Sequence, residues 1–229
     1  MSRLKGFTGE RMLLLVLWGA VIGFMLLIVV AAWPNYWIYV ASEATPLTWL
    51  ESLLLVLTAA VTGLVAYLEG LTGKSSRRDV LGWLIVAAAF AWLALDERFA
   101  LHERIRDRFL KPTGIKILPW MEEGDWIILI YMAFGLAALW GIWRLIGDNR
   151  SSRLFLIVAL LLAICSVGMD TIHIRSLDKG TERLLQSLEE GVETLAMTSF
   201  LSAFLCVWMG KIRSLAVAAK EASRRPDML

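Results

Sequence analysis

Apolar residues fall in six long runs along the chain, and polar residues crowd between them. The runs cover 12–33, 46–68, 80–97, 126–146, 154–173 and 184–209. About 20 apolar residues in helical form cross the hydrocarbon core of a bilayer. A segment in lipid must satisfy its own backbone, which a helix does. The pattern therefore predicts an all-α polytopic membrane protein, a bundle of six transmembrane helices forming one domain over 1–229. Between the third and fourth runs, Glu103-Arg104-Ile105-Arg106-Asp107-Arg108 alternates in sign. That stretch predicts a short amphipathic surface helix over 98–110, stopped by Pro112 and Gly114.

Composition strengthens this picture. Of 229 residues, 58% are hydrophobic and 19% charged, with a mean hydropathy of +0.65. An ordinary soluble domain carries about 25% charged residues, and a chain this short has no core large enough for the apolar surplus. Most of the eleven tryptophans, among them Trp33, Trp37, Trp49, Trp120, Trp126, Trp143 and Trp208, lie near run ends, as at a headgroup boundary. The net charge of +2, without a basic cluster, argues against a nucleic-acid partner. Cys165 and Cys206 sit inside apolar runs and read as buried thiols. The first run is too long for a signal core and lacks a small-x-small cleavage site, so it reads as a retained helix.

Basic residues set the expected orientation. Arg3, Lys5 and Arg11 precede the first run, and Lys74, Arg77 and Arg78 follow the second. Arg144, Arg150 and Arg153 separate the fourth from the fifth, and Lys211, Arg213, Lys220, Arg224 and Arg225 follow the sixth. The 34–45 connector has none. The positive-inside rule places both termini in the cytoplasm, and the compact loops suit a bacterial inner (plasma) membrane.

The candidate chemistry lies in ionisable groups within or at the lip of the runs, where a charge costs roughly 3 kcal/mol or more. These are Glu51 on the second helix, Asp96, Glu97, His102 and Glu103 around the end of the third, Asp170 and His173 at the end of the fifth, and Glu189, Glu190 and Glu193 on the sixth. With alternating helix directions, all fall at the outer ends of their helices; Glu51 lies about 8 Å from its helix start. Asp96 and Glu103 share a helical face, as do Asp170 and His173, and Gln186, Glu189, Glu190 and Glu193 form one polar stripe. Carboxylates crowded at low dielectric need protons, basic side chains or metal to compensate them. Imidazoles among carboxylates suit Zn, Fe or Mn better than Ca or Mg. The expected ligands of a divalent transition metal are drawn from Glu51, Asp96, His102, Glu103, Asp170, His173, Glu190 and Glu193, with Glu189 as a catalytic base.

This ligand inventory is similar in part to the carboxylate-bridged di-metal bundles, which use two single Glu and two Glu-x-x-His motifs from four helices. Asp170-x-x-His173 has that spacing with Asp in place of Glu, and Glu51 and Glu190 or Glu193 stand as the single carboxylates. Phe99 stands three residues before His102, so Asp96 and Glu103 would supply the remaining carboxylate. The expectation is a metal-dependent membrane enzyme, a hydrolase or a di-metal oxidase, acting on a lipid or apolar substrate. Arg98, Arg104, Arg175 and Lys179 are placed to meet a lipid phosphate. The alternatives are a cation- or proton-coupled transporter or channel, whose path polar residues such as Thr58, Thr62 and Gly63 could line, and an accessory subunit that buries the cluster against a partner protein. Bland roles fit several acids: Glu97 and Asp107 in surface pairs, Glu122, Glu123 and Asp125 at a helix N-terminus, and Glu69 and Asp79 paired with the basic loop between the second and third helices.

Overall fold

A computed structural model describes residues 2–41, 44–73, 76–117, 121, 123–170 and 178–223. Eight α-helices follow in order: α1 (Ser2–Ala31), α2 (Trp37–Val40), α3 (Pro46–Thr72), α4 (Arg77–Phe99), α5 (Leu101–Ile105), α6 (Trp126–Ile146), α7 (Arg150–Asp170) and α8 (Lys179–Ala222). No strand occurs among the described residues. Six of the helices are long and apolar enough to cross a membrane, as in an integral membrane protein: Gly9–Ala31, Pro46–Thr72, Arg77–Phe99, Trp126–Ile146, Arg150–Met169 and Lys179–Glu221. Their outer faces expose Leu15, Leu26, Val30, Tyr67, Phe134 and Trp140, a surface that lipid rather than water would cover.

Helix ends extend past the apolar runs where local chemistry supports them. Ser76 and Asp79 form a reciprocal capping box, so α4 starts at Arg77. Asp79 thus caps its own helix. Asp178 accepts from the backbone N–H of Thr181 at 3.0 Å and starts α8 at Lys179, before the hydrophobic signal begins. The same N–H and the Thr181 hydroxyl hold the Asp178 carboxylate below its ordinary pKa. The surface segment after the third span begins later than the charge pattern implied. α4 runs on to Phe99, Ala100 takes a left-handed conformation (φ 47°), and α5 leads into one π-turn and a 3-10 turn that stops at Gly114.

α8 is the central helix. Cross-links give its neighbours' directions. Trp18 donates to Ser202, and Arg213 pairs with Glu10, so α1 runs antiparallel to α8. Asn149 and Ser152 donate to the carbonyls of Cys206 and Ala203, so α7 does too. Phe90 packs edge-on against Phe200 and Phe204, and Trp83 against Phe204, which makes α4 antiparallel as well. α3 runs parallel to α8, with Glu51 beside Thr194 and Glu69 beside Lys211. Small residues permit the close approach of α3 and α8: Thr58, Thr62, Thr198 and Ser202 are buried there. Each of these hydroxyls donates to the carbonyl four residues back in its own helix.

α6 is peripheral. Only Ile127 and Ile146 are buried on it. It meets α4 through the Trp92–Tyr131 hydrogen bond and where Leu145 lies over Gly82.

Candidate functional site: an acidic cavity at one end of the bundle

The helix directions bring the predicted acids to one level. A cavity of about 330 Å³ opens there, enclosed by α3, α4, α5, α6, α7 and α8. Asp96, Glu97, Glu103, Glu189, Glu190 and Glu193 line it with His102; among the described lining residues Arg106 is the one guanidinium. Its deeper wall is apolar, with Leu55, Phe90, Leu93, Met197 and Phe200. Beneath lie the contacts of Phe90, Phe200, Phe204 and Trp83, with ring centroids 5.5–5.9 Å apart. The hydroxyls of Thr58 and Thr62 beyond this plug are bonded within their own helix. The cavity thus has an aromatic floor.

The break at Ala100 builds the histidine's setting. Asp96 reaches across it with both oxygens. Oδ1 accepts from the backbone N–H of His102 at 2.7 Å, and Oδ2 lies 3.0 Å from His102 Nδ1. A carboxylate accepts, so Nδ1 carries the proton and Nε2 is the nitrogen left for a ligand. Burial opposes the imidazolium, but the hydrogen bond that His102 donates to Asp96 and the charges of Asp96, Glu103 and Glu97 outweigh it, and the His102 pKa lies above its ordinary value. Tyr131 packs edge-on against the ring at 6.3 Å.

Glu51 is fully buried on α3. Its Oε1 takes the Thr194 hydroxyl at 2.6 Å, and its Oε2 has no hydrogen-bond partner among the described residues. Glu190, Glu97 and Glu193 are its charged neighbours, and all three line the cavity. Leu55, one turn along the same face of α3, lines it too.

Other acids are engaged. Glu103 holds Arg106 at 3.1 Å, and Arg106 also reaches Asp107 at 3.3 Å and Asp125 at 3.6 Å. Burial works against that guanidinium, but Glu103 and the other carboxylates hold it charged. Ser166 on α7 donates to Glu193 at 3.4 Å, and Glu97, Glu189, Glu190 and Glu193 all have partners.

Among the described residues, no three His, Cys, Asp or Glu side chains form a group able to hold one metal ion. Asp96 spends both oxygens on His102, so it positions the ring rather than offering itself as a ligand. Glu103 is occupied by Arg106, and Glu51 stands behind the wall. α7 ends at Asp170, one turn beyond the lining residue Ser166. The Asp170 side chain, His173 and Arg175 lie outside what is described. Arg106, Tyr131, Ser166 and Thr194 join the site without having been singled out from the sequence. Arg106 alone carried a signal, its place in the alternating charges of 103–108.

Cys165 and Cys206 are free thiols, exposed and buried respectively. Asp125 directly precedes α6 and makes no side-chain cap to it; it faces Arg106 instead.

No curated protein and no solved structure matches the chain. A family model matches residues 12–208, which include every described residue of the cavity, and the chain belongs to that family, described as Domain of unknown function (DUF8692).

Proposed function

We propose that this protein is a metal-dependent membrane enzyme whose acidic cavity holds a divalent transition metal and acts on a lipid or apolar substrate. The observation that carries the reading is His102, whose Nδ1 is held by Asp96 at 3.0 Å in a cavity that Glu97, Glu189, Glu190 and Glu193 also line.

His102 supports a metal in particular. An imidazole oriented by a carboxylate at one nitrogen, with the other turned to a ligand, is the usual setting of a metal-binding histidine. In this reading His102 Nε2 and Glu190 would contribute ligands, with Asp170 and His173 as the further candidates from the sequence. When bound, the ion supplies Lewis acidity that lowers the pKa of a water. Glu189, one turn from Glu193, would serve as the base that accepts a proton from water. Hydrolysis of an ester or amide is favoured over di-metal oxygen activation. Asp96 and Glu103 are committed to His102 and Arg106, which leaves the second half of a di-metal ligand set unfilled. Basic residues gathered at the opposite end of the bundle support cytoplasmic termini and an extracytoplasmic cavity.

Metal analysis of protein purified without chelators tests this. Zn, Fe or Mn near one equivalent, lost in His102→Ala and in Glu190→Gln, is the expected result. Folded protein without metal under all growth conditions would remove the proposal.

A further inference from the structure

We propose that a lipid-facing groove between α3 and α4 binds one acyl chain of an anionic phospholipid, whose phosphate meets Arg77 at the basic end of the bundle.

Two adjoining hollows of about 360 and 510 Å³ lie between the two helices and share Gly70, Val80 and Leu84. Each has the size of a small-molecule site, about 300–1,000 Å³. Gly63 and Ala66 continue the lining along α3, and the large side chains that border it, Tyr67, Leu71, Leu81 and Leu84, are exposed. From Gly63 to Gly73 the groove follows α3 for about 15 Å. That is about half of the hydrocarbon core, the depth of one leaflet. Its length and apolar lining suit one extended chain.

Small residues in membrane helices usually let a neighbouring helix come close. Thr58 and Thr62 of α3 are buried in that way. Gly63 and Gly70 are not: a Cβ on either would meet no atom of a described residue within 4 Å. Glycine inside a helix costs stability relative to alanine, and no contact among the described residues asks for it at these two places. Here the missing side chains hollow the surface that faces the bilayer.

Charge selects the lipid. Arg77 lines the groove where it reaches the end of the spans. Arg77 and its neighbour Arg78 are exposed, and neither is in an ion pair with a described acid. The acids nearby are engaged. Glu69, which also lines this end, holds the Lys211 ammonium at 2.6 Å. Asp79 accepts from the Ser76 N–H at 3.3 Å and from the Ser76 hydroxyl at 2.7 Å. Arg144, exposed near the end of α6, is a further charged neighbour of Asp79. A phosphate at this level meets guanidiniums that no described acid answers, and Arg holds phosphate through paired N–H groups. Basic pockets between membrane helices recognise anionic head groups in this way. A second copy of the chain is a poorer occupant. A two-fold axis along the groove would set Arg77 and Arg78 against their own copies.

The test is native mass spectrometry of the full-length protein with phosphatidylglycerol and phosphatidylcholine of matched chains, and with glycerol 1-phosphate as the head group alone. One phosphatidylglycerol should be retained over phosphatidylcholine by about fivefold or more, the effect of one arginine at an anionic head group. Arg77→Gln should remove that preference. Gly70→Leu should remove the bound lipid, and its added Cβ meets no described atom, so the fold is kept. Arg150→Gln, in another basic connector, should change neither, and glycerol 1-phosphate should not bind. Equal retention of the two lipids, equal effects of Arg77→Gln and Arg150→Gln, binding of the head group alone, or a lipid-free dimer that Gly70→Leu dissociates would each overturn the inference. It stands apart from the metal reading, because neither His102 nor Glu190 borders the groove.

Discussion

Two glutamates on one face of α3, about five turns apart, meet α8 in opposite ways. Glu69, 5% exposed, is answered by the Lys211 ammonium at 2.6 Å. Glu51, with no exposure at all, is answered by a threonine hydroxyl and by three more carboxylates. The same pair of helices thus neutralises a buried acid at one end and leaves one uncompensated at the other. Building a Lys opposite Glu51 would have been no harder than placing Lys211 opposite Glu69. Glu51 is therefore a fully buried acid with one unmatched oxygen, beside the cavity to which the proposed function is assigned.

Four perturbations break or sharpen this contrast. The largest effect falls on the plug between the two ends. Phe204→Ala removes a fully buried ring that touches both Trp83 and Phe90, and should cost about 3–5 kcal/mol, read as earlier unfolding in a denaturant titration in detergent. Next is Lys211→Met, which strips Glu69 of its cation. Loss of a partner from a fully buried pair costs about 3–5 kcal/mol, but Lys211 is 40% exposed, so solvent screening reduces the expected loss to about 1–3 kcal/mol. Glu51→Gln should do the reverse. It keeps the acceptor for Thr194 and removes an ionisable group that stands beside Glu97, Glu190 and Glu193, so stability should hold or rise by up to about 2 kcal/mol while cation binding falls. A clear destabilisation by Glu51→Gln would show that Glu51 is structural, like Glu69.

The smallest effect concerns pH. The folded-state pKa of His102 lies above its ordinary 6.5. Its pairing with Asp96 therefore contributes stability that is fully present below pH 6.5 and is lost as pH rises through the raised value. Thermal melting between pH 5 and 9 should show that decline in the cation-free protein, and Asp96→Asn should flatten it. A metal on Nε2 must displace the imidazolium proton, so metal affinity should rise over the same interval.

Much of this was legible from the residues. The six spans follow from hydropathy alone, and the common level of Glu51, Asp96, Glu97 and Glu190 follows from alternating directions and the 1.5 Å rise. What stayed hidden depends on tertiary contacts or on local geometry without a compositional sign. Ala is a strong helix former, so nothing in the sequence marks Ala100 as the left-handed break that turns His102 toward Asp96. Glu69 reads as a partner of the neighbouring basic loop, yet its cation comes from Lys211, far along the chain on α8. Thr194 sits in a run of small residues that looks like ordinary helix packing, and only the register of α3 against α8 sets it on Glu51. α8 runs past the apolar run at both ends, through a polar first turn held by the Asp178 cap and through charged residues on to Ala222.

The central claim is the proposal that the acidic cavity takes a divalent metal, whereas Glu69 at the far end of α3 is already matched by Lys211. Equilibrium dialysis of Zn²⁺ and Mn²⁺ against metal-stripped protein in nanodiscs tests it most directly, with Glu190→Gln and Glu69→Gln run beside the native chain. The account predicts at least one saturable site, abolished in Glu190→Gln and intact in Glu69→Gln. No saturable binding, or equal loss in both variants, would contradict it.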